Sequence, residues 1–187
     1  MNIILILLLV LPVPAFASQI YPFPNLTRKD TDTHIVTKLN LPDETVVQHE
    51  KFSLTVPKGW SINPVGPSDN AVASITATPT SDVENSKTYI SFHIRTTPST
   101  MTLEERKTQN EKKGRTAKFV SWHDQRWLLV QYFSDNERNK RQKYWAAFTN
   151  AGGTEFWTVA GTPEADASKY EGILLKIMES STLTKNK

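Results

Sequence analysis

The chain has 187 residues, a formal net charge of +3 and no cysteine. That length suits one domain with an ordinary core, and the missing cysteine excludes both a disulfide framework and a lipid anchor on a leading cysteine. Only seven glycines occur, and none falls in a Gly-rich phosphate-cradling loop.

Residues 3–11 read IILILLLVL, and Pro12 and Pro14 then break the run. Ala15-Phe16-Ala17 places small residues where a signal peptidase cuts. A membrane-spanning helix needs about 20 apolar residues, so this shorter stretch is expected to be a signal peptide over residues 1–17, removed after Ala17. The n-region, Met1-Asn2, carries no Lys or Arg. The expected mature protein is cysteine-free, has no stable membrane anchor, and resides in the periplasm or is secreted. Asn25-Leu26-Thr27 matches a glycosylation sequon, which is coincidental in a bacterial protein.

Residues 18–45 are polar, with Pro22, Pro24 and Pro42 and no sustained period. An extended N-terminal arm is expected there, followed by a single domain over residues 46–187. Phe52, Leu54 and Val56 alternate with Ser53, Thr55 and Pro57, the period of a strand with one buried face. Lys58-Gly59 supplies a turn closed by Trp60. Further strands are expected over 71–77 and 89–95, the latter with Ile90, Phe92 and Ile94 inward and His93 facing solvent. Thr102 and Glu105 form a capping box for a polar surface helix that ends at Gly114 and is held by Met101 and Leu103. Four strand-like runs follow, 118–123, 127–134, 143–149 and 155–160. They are joined by a tight turn at Asp124-Gln125, a charged loop over 135–142 and a hairpin loop over 150–153. Such short connections imply antiparallel neighbours. The last element is an amphipathic helix capped by Thr162, with Pro163 in its first turn. Its stripe of Tyr170, Ile173, Leu174, Ile177 and Met178 is expected to bury against the sheet. The fold class is therefore α+β: an antiparallel sheet of about six strands, the C-terminal helix on one face and a thinner layer on part of the other.

Phe52-Ser-Leu-Thr-Val-Pro-Lys-Gly-Trp60 resembles the opening strand and turn of the PsbP-like superfamily. The superfamily includes the PsbP extrinsic protein of photosystem II, a Ran-binding nuclear import factor and the bacterial DcrB-like envelope proteins. The likeness continues through the capped helix, the aromatic meander and the closing helix Tyr170-Glu-Gly-Ile-Leu-Leu-Lys-Ile177, covering residues 47–183. It implies an α/β/α sandwich around an antiparallel sheet and a non-catalytic assembly or binding role. DcrB-like proteins are often lipoproteins, and this chain lacks the necessary cysteine.

The usual catalytic kits have no counterpart. The four histidines, His34, His49, His93 and His123, show no metal-ligand spacing, and without cysteine a zinc site needs distant groups to converge. No G-x-S-x-G occurs. Ser121 and His123 share one short strand, and His123-Asp124 reads as a turn after it. Glu104-Glu105 and Glu164/Asp166 sit at helix starts, where the dipole accounts for them. No enzyme activity, cofactor or metal is expected. Nine of the 18 aromatic residues fall between Trp122 and Trp157, including the adjacent pairs Tyr144-Trp145 and Phe156-Trp157. One ring of each pair must face each side of the sheet, so both faces are expected to be covered.

Charge is the remaining feature. Between Arg106 and Lys143 there are 11 Lys/Arg against 4 Asp/Glu, so this stretch carries +7 and the rest of the chain −4. Such runs arise as solvated faces, and they also form surfaces for acidic partners. Arg106, Lys112, Lys113, Arg138, Lys140 and Arg141 are the candidate binding residues. Export argues against nucleic acid and favours a protein partner in the envelope. The expected function is an exported, non-catalytic binding or assembly factor acting on another envelope protein. The alternative is a periplasmic immunity or inhibitor protein that caps a toxin or hydrolase.

Overall fold

A computed structural model describes residues 19–22, 39–40, 43–49, 51–65, 71–82, 88–95, 100–135, 141–151 and 154–183. The signal-peptide segment lies outside them. In chain order the elements are β1 (Gln19–Pro22), β2 (Leu39–Asn40), β3 (Thr45–Gln48), β4 (Phe52–Val56), β5 (Trp60–Val65), β6 (Ala71–Pro79) and β7 (Tyr89–Arg95). Helix α1 (Leu103–Lys112) comes next, then β8 (Thr116–Trp122), β9 (Gln125–Asp135), β10 (Arg141–Ala151), β11 (Thr154–Pro163), α2 (Ala167–Glu179) and β12 (Thr182–Leu183).

Eight strands form one sheet in the order β2-β5-β6-β7-β11-β10-β9-β8. Every neighbour in it is antiparallel, as expected for β5-β6, β8-β9, β9-β10 and β10-β11, which follow one another in the chain. Four strands form a second, small sheet in the order β1-β3-β4-β12, in which β1 lies parallel to β3. The large sheet thus exceeds the expected six strands. Phe52–Val56, read as its opening strand, belongs instead to the small sheet. Within the N-terminal arm, the described stretches 19–22 and 39–40 are strands, and Thr45 opens β3.

The small sheet and α2 cover one face of the large sheet. Ile62, Ile75, Phe92, Ile94, Trp145 and Phe156 are buried there with Phe52, Leu54 and Val56 of β4 and Leu174, Ile177 and Met178 of α2. The Phe52 and Phe92 rings stack at 4.5 Å across the two sheets. Burying each such side chain contributes about 1.5–3 kcal/mol before ordering costs. The opposite face carries a smaller cluster, Leu128, Val130 and Ala146, against which Leu103, Phe119, Tyr132 and Phe148 pack under α1. The adjacent aromatic pairs divide as expected: Trp145 and Phe156 lie on the α2 face, and their neighbours Tyr144 and Trp157 on the α1 face.

Three local readings need correction. First, the final helix does not begin at Thr162-Pro163. Those residues remain in β11, with Lys143 opposite Thr162. The Thr162 hydroxyl lies 2.9 Å from that of Thr88 rather than capping the helix. Second, Ile173 is 38 % exposed while Tyr170, Leu174, Ile177 and Met178 are buried. The helix is rotated so that Ile173 lines a groove of about 440 Å³ beside Pro57, Trp60 and Lys176. Third, the tight turn is His123-Asp124, both at positive φ (47° and 62°), with Trp122 opposite Gln125. This is the primed turn whose twist suits a two-residue hairpin.

Candidate binding surface

Helix α1 has almost no apolar stripe, yet it is firmly docked. Its N-terminus closes with the expected box: the Glu105 amide donates to Thr102 Oγ1 at 3.2 Å, and the Thr102 amide donates to Glu105 Oε2 at 2.8 Å. The Thr102 amide, then the Thr102 hydroxyl donating to the same Oε2 at 3.0 Å, hold the Glu105 carboxyl below its ordinary range. Its C-terminus ends at Gly114, whose φ of +71° only glycine adopts freely. Buried Asn110 ties the helix to β8: its Nδ2 donates to Arg106 O at 2.8 Å, and its Oδ1 accepts from Arg115 Nη1 at 3.1 Å.

The main anchor is electrostatic. Glu155, on β11, is 2 % exposed. Arg106 Nη2 donates to its Oε2 at 2.7 Å, and Arg95 Nε lies 3.2 Å from its Oε1. Both guanidiniums also face rings, Arg106 over Phe148 at 4.4 Å and Arg95 over Trp157 at 5.4 Å. An Arg over an aromatic face gains about 0.5–2 kcal/mol. Arg106, selected from the sequence as a surface cation, is therefore turned inward and fixes α1 to the sheet.

His93 follows on the same face. The solvent-facing position expected for it is not observed: the ring stacks on Trp157 at 4.7 Å. Burial pushes its pKa down to about 4, so the folded protein holds it neutral. The unfolded chain takes up the proton near pH 6.5. This contribution is complete above that value and is lost as pH falls toward 4. Between pH 7 and pH 5 the stability attributable to His93 falls by about 2 kcal/mol. Urea midpoints at the two pH values check this: His93→Gln loses that much less on acidification than the wild type, and an equal loss in both rules the histidine out.

Beyond the end of α1 a row of rings crosses four strands. Tyr132, Tyr144, Gly161 and Tyr89 are successive cross-strand partners on β9, β10, β11 and β7. Tyr132 and Tyr144 stack at 5.1 Å, and Arg115 caps Tyr132 at 4.1 Å. A Cβ on Gly161 would stand 3.0 Å from the rings of both Tyr144 and Tyr89, so the glycine makes room for them. Burial, then the neighbouring phenols, pushes the Tyr89 pKa up to about 12.

The structure divides the sequence-selected cations. Lys112 and Lys113 are exposed at the C-terminal end of α1, on the α1 face. Arg141 is exposed at the start of β10 rather than in a loop, 3.7 Å from Glu164 and over the Phe133 ring at 4.8 Å. The strand register puts Arg141 and Phe133 on the α2 face, so Arg141 does not merge with the α1 lysines. Arg138 and Lys140 lie outside the described residues. Two further cations, Arg115 and Lys118, flank the start of β8: Arg115 lies over Tyr132 on the α1 face, whereas Lys118, opposite Leu129, is on the α2 face by register. They fell within the basic run, but nothing local separated them from its other members. Nearby carboxylates are already engaged: Glu104 with Arg126 at 2.6 Å, Glu111 with Lys107, and Glu155 as above. The α1–β8 margin therefore carries surplus positive charge.

Among the described residues, no group of three or more His, Asp or Glu is placed to hold a metal, and no helix is long and apolar enough to cross a membrane.

The large antiparallel sheet between a C-terminal helix and a second helix defines the PsbP-like fold. No family model matches the chain, and no curated protein matches it. Among solved structures, the chain is similar to the cyanobacterial PsbP protein of Synechocystis sp. PCC 6803 (14% identity, 78% of this chain, 95% of that one, TM-score 0.53). Looser likenesses are the PA94 protein of Pseudomonas aeruginosa (15% identity, 78% and 99% of the two chains, TM-score 0.43) and LpqN of Mycobacterium tuberculosis, which is involved in cell envelope biogenesis (11% identity, 86% and 99%, TM-score 0.41).

Proposed function

We propose that the protein is an exported, non-catalytic binding or assembly factor that engages an acidic protein of the cell envelope through the α1–β8 margin. The observation that carries this reading is local charge imbalance. Lys112 and Lys113 on the α1 face, and Lys118 on the other side of the same sheet edge, are exposed without an ion pair among the described residues, while Glu104 and Glu111 are held by other cations. Surplus charge of one sign speeds encounter with a surface of the opposite sign, and salt screens the effect over about 8–10 Å. The PsbP-like fold agrees with this reading without specifying a partner. The leader at residues 1–17 supplies the envelope location.

The test begins with the protein immobilised and exposed to envelope extract, the retained protein being identified by mass. Association rates are then measured for the wild type and for Lys112→Glu/Lys113→Glu at low and moderate salt. The double reversal slows association by about tenfold at low salt, and the difference shrinks as salt rises. Equal rates at both salts return these lysines to a solvated helix end.

A further inference from the structure

The large sheet has two edges, and they differ. One is β2, only two residues long; the other is β8, seven residues long and paired to β9 at every position from Thr116 to Trp122 without a bulge. Edge strands are normally guarded by shortness, charged side chains (lysine above all), proline, bulges or a covering element, and the one such guard on β8 is Lys118, which repels cationic strands and leaves the edge open to an acidic one. β8 has no proline and no bulge, and among the described residues no strand pairs with its outer side.

The turn fixes which backbone groups point outward. In a two-residue primed hairpin the closing pair exchanges both hydrogen bonds, so Trp122 and Gln125 form a hydrogen-bonded pair. Alternation then directs the N–H and C=O groups of Val120, Lys118 and Thr116 to β9. Those of Ala117, Phe119 and Ser121 point away from it. Three donors and three acceptors stand in a row with strand spacing. Half-buried Phe119 and Val120 offer apolar flanks on opposite faces, the Phe119 ring held under Arg126 at 3.6 Å. Lys118 is exposed in mid-strand, and Arg115, Lys113 and Lys112 lie at one end.

We propose that β8 is a strand-addition site: an extended, carboxylate-bearing segment of the partner pairs with the outward backbone groups of Ala117, Phe119 and Ser121. The occupant is acidic because the edge and its margin are basic. The same charge disfavours a second copy of this chain, which would set a second Lys118 against this edge instead of a carboxylate. Main-chain pairing supplies affinity and the lysines supply the preference, as in other strand-addition complexes. This inference rests on the acidic-partner reading above and adds where and how the partner docks.

The probes are two ten-residue peptides, one alternating Val and Glu, the other alternating Val and Lys. Amide hydrogen exchange is followed by NMR. In the free protein the amides of Ala117, Phe119 and Ser121 exchange fast and those of Thr116, Lys118 and Val120 slowly. The acidic peptide slows the first three by tenfold or more; the basic peptide does not. Ser121→Pro and Ala117→Pro remove only outward donors, so they keep the fold and weaken acidic-peptide binding at least tenfold. Exchange at these three amides unchanged by a saturating peptide overturns the docking edge, whatever else binds. Equal protection by both peptides keeps the edge and overturns the acidic partner.

Discussion

Arg106→Met lowers the unfolding free energy by about 3 kcal/mol, because it strips the main counterion from a buried carboxylate. Glu155 is 2 % exposed and its pairing atom sits 2.7 Å from Arg106 Nη2. The remaining partner, Arg95, is 42 % exposed on its side chain and shares its charge with water. The double variant Arg106→Met/Glu155→Met loses less than Arg106→Met alone, since a buried pair replaced by apolar groups of similar volume is nearly neutral. Denaturant unfolding of wild type, both singles and the double closes the cycle. Strict additivity of the two losses would show that the pair does not hold α1 to the sheet.

Ile177→Ala and Ile173→Ala, four residues apart on α2, separate sharply. Ile177 is 3 % exposed among Phe52, Trp60 and Leu174 in the main core, and its truncation costs about 2–5 kcal/mol. Ile173 is 38 % exposed at the groove, and its truncation costs less than about 1 kcal/mol. Melting temperatures of the two variants decide it. Equal losses would mean that Ile173 is packed as deeply as Ile177.

These contrasts mark where the residues were legible and where they were not. Phe52–Val56, Tyr89–Arg95, the Thr102–Glu105 box and the Gly59 and Gly114 turns were readable because each depends on neighbours a few residues away. The same holds for the splitting of Tyr144-Trp145 across the sheet. What failed depended on distant partners. Thr162-Pro163-Glu164 has helix-start chemistry, but pairing with Lys143 and the hydroxyl of Thr88 keeps Thr162 in a strand. Periodicity gave α2 a stripe, but its rotation follows from how β4, β10 and β11 receive it, which left Ile173 outside. The polar register of β7 made His93 look solvated, and the ring that covers it, Trp157, comes from β11. Of the candidate surface, the charge excess was visible and its arrangement was not. Arg106 is spent on Glu155, a residue 49 positions later, and Arg141 stands on the opposite face from Lys112. β8 became an edge only through the strand order.

The small sheet has a bearing on how the molecule reaches its folded state. Its last strand, β12, pairs Thr182 with Ser53, and the hydroxyls of these residues meet at 2.6 Å across 129 positions of sequence. Ser180 Oγ also accepts from the Thr55 amide at 2.9 Å, across 125 positions. Closing so long a loop costs entropy before any contact rewards it, and folds rich in such pairings assemble in milliseconds to seconds rather than microseconds. The outer side of β4 stays open until Thr182 and Leu183 reach it, so the small sheet closes only after the segments between them are made. Until then the unpaired edge of β4 and the apolar residues behind it remain accessible, the state in which a partly folded chain is most exposed to mispairing.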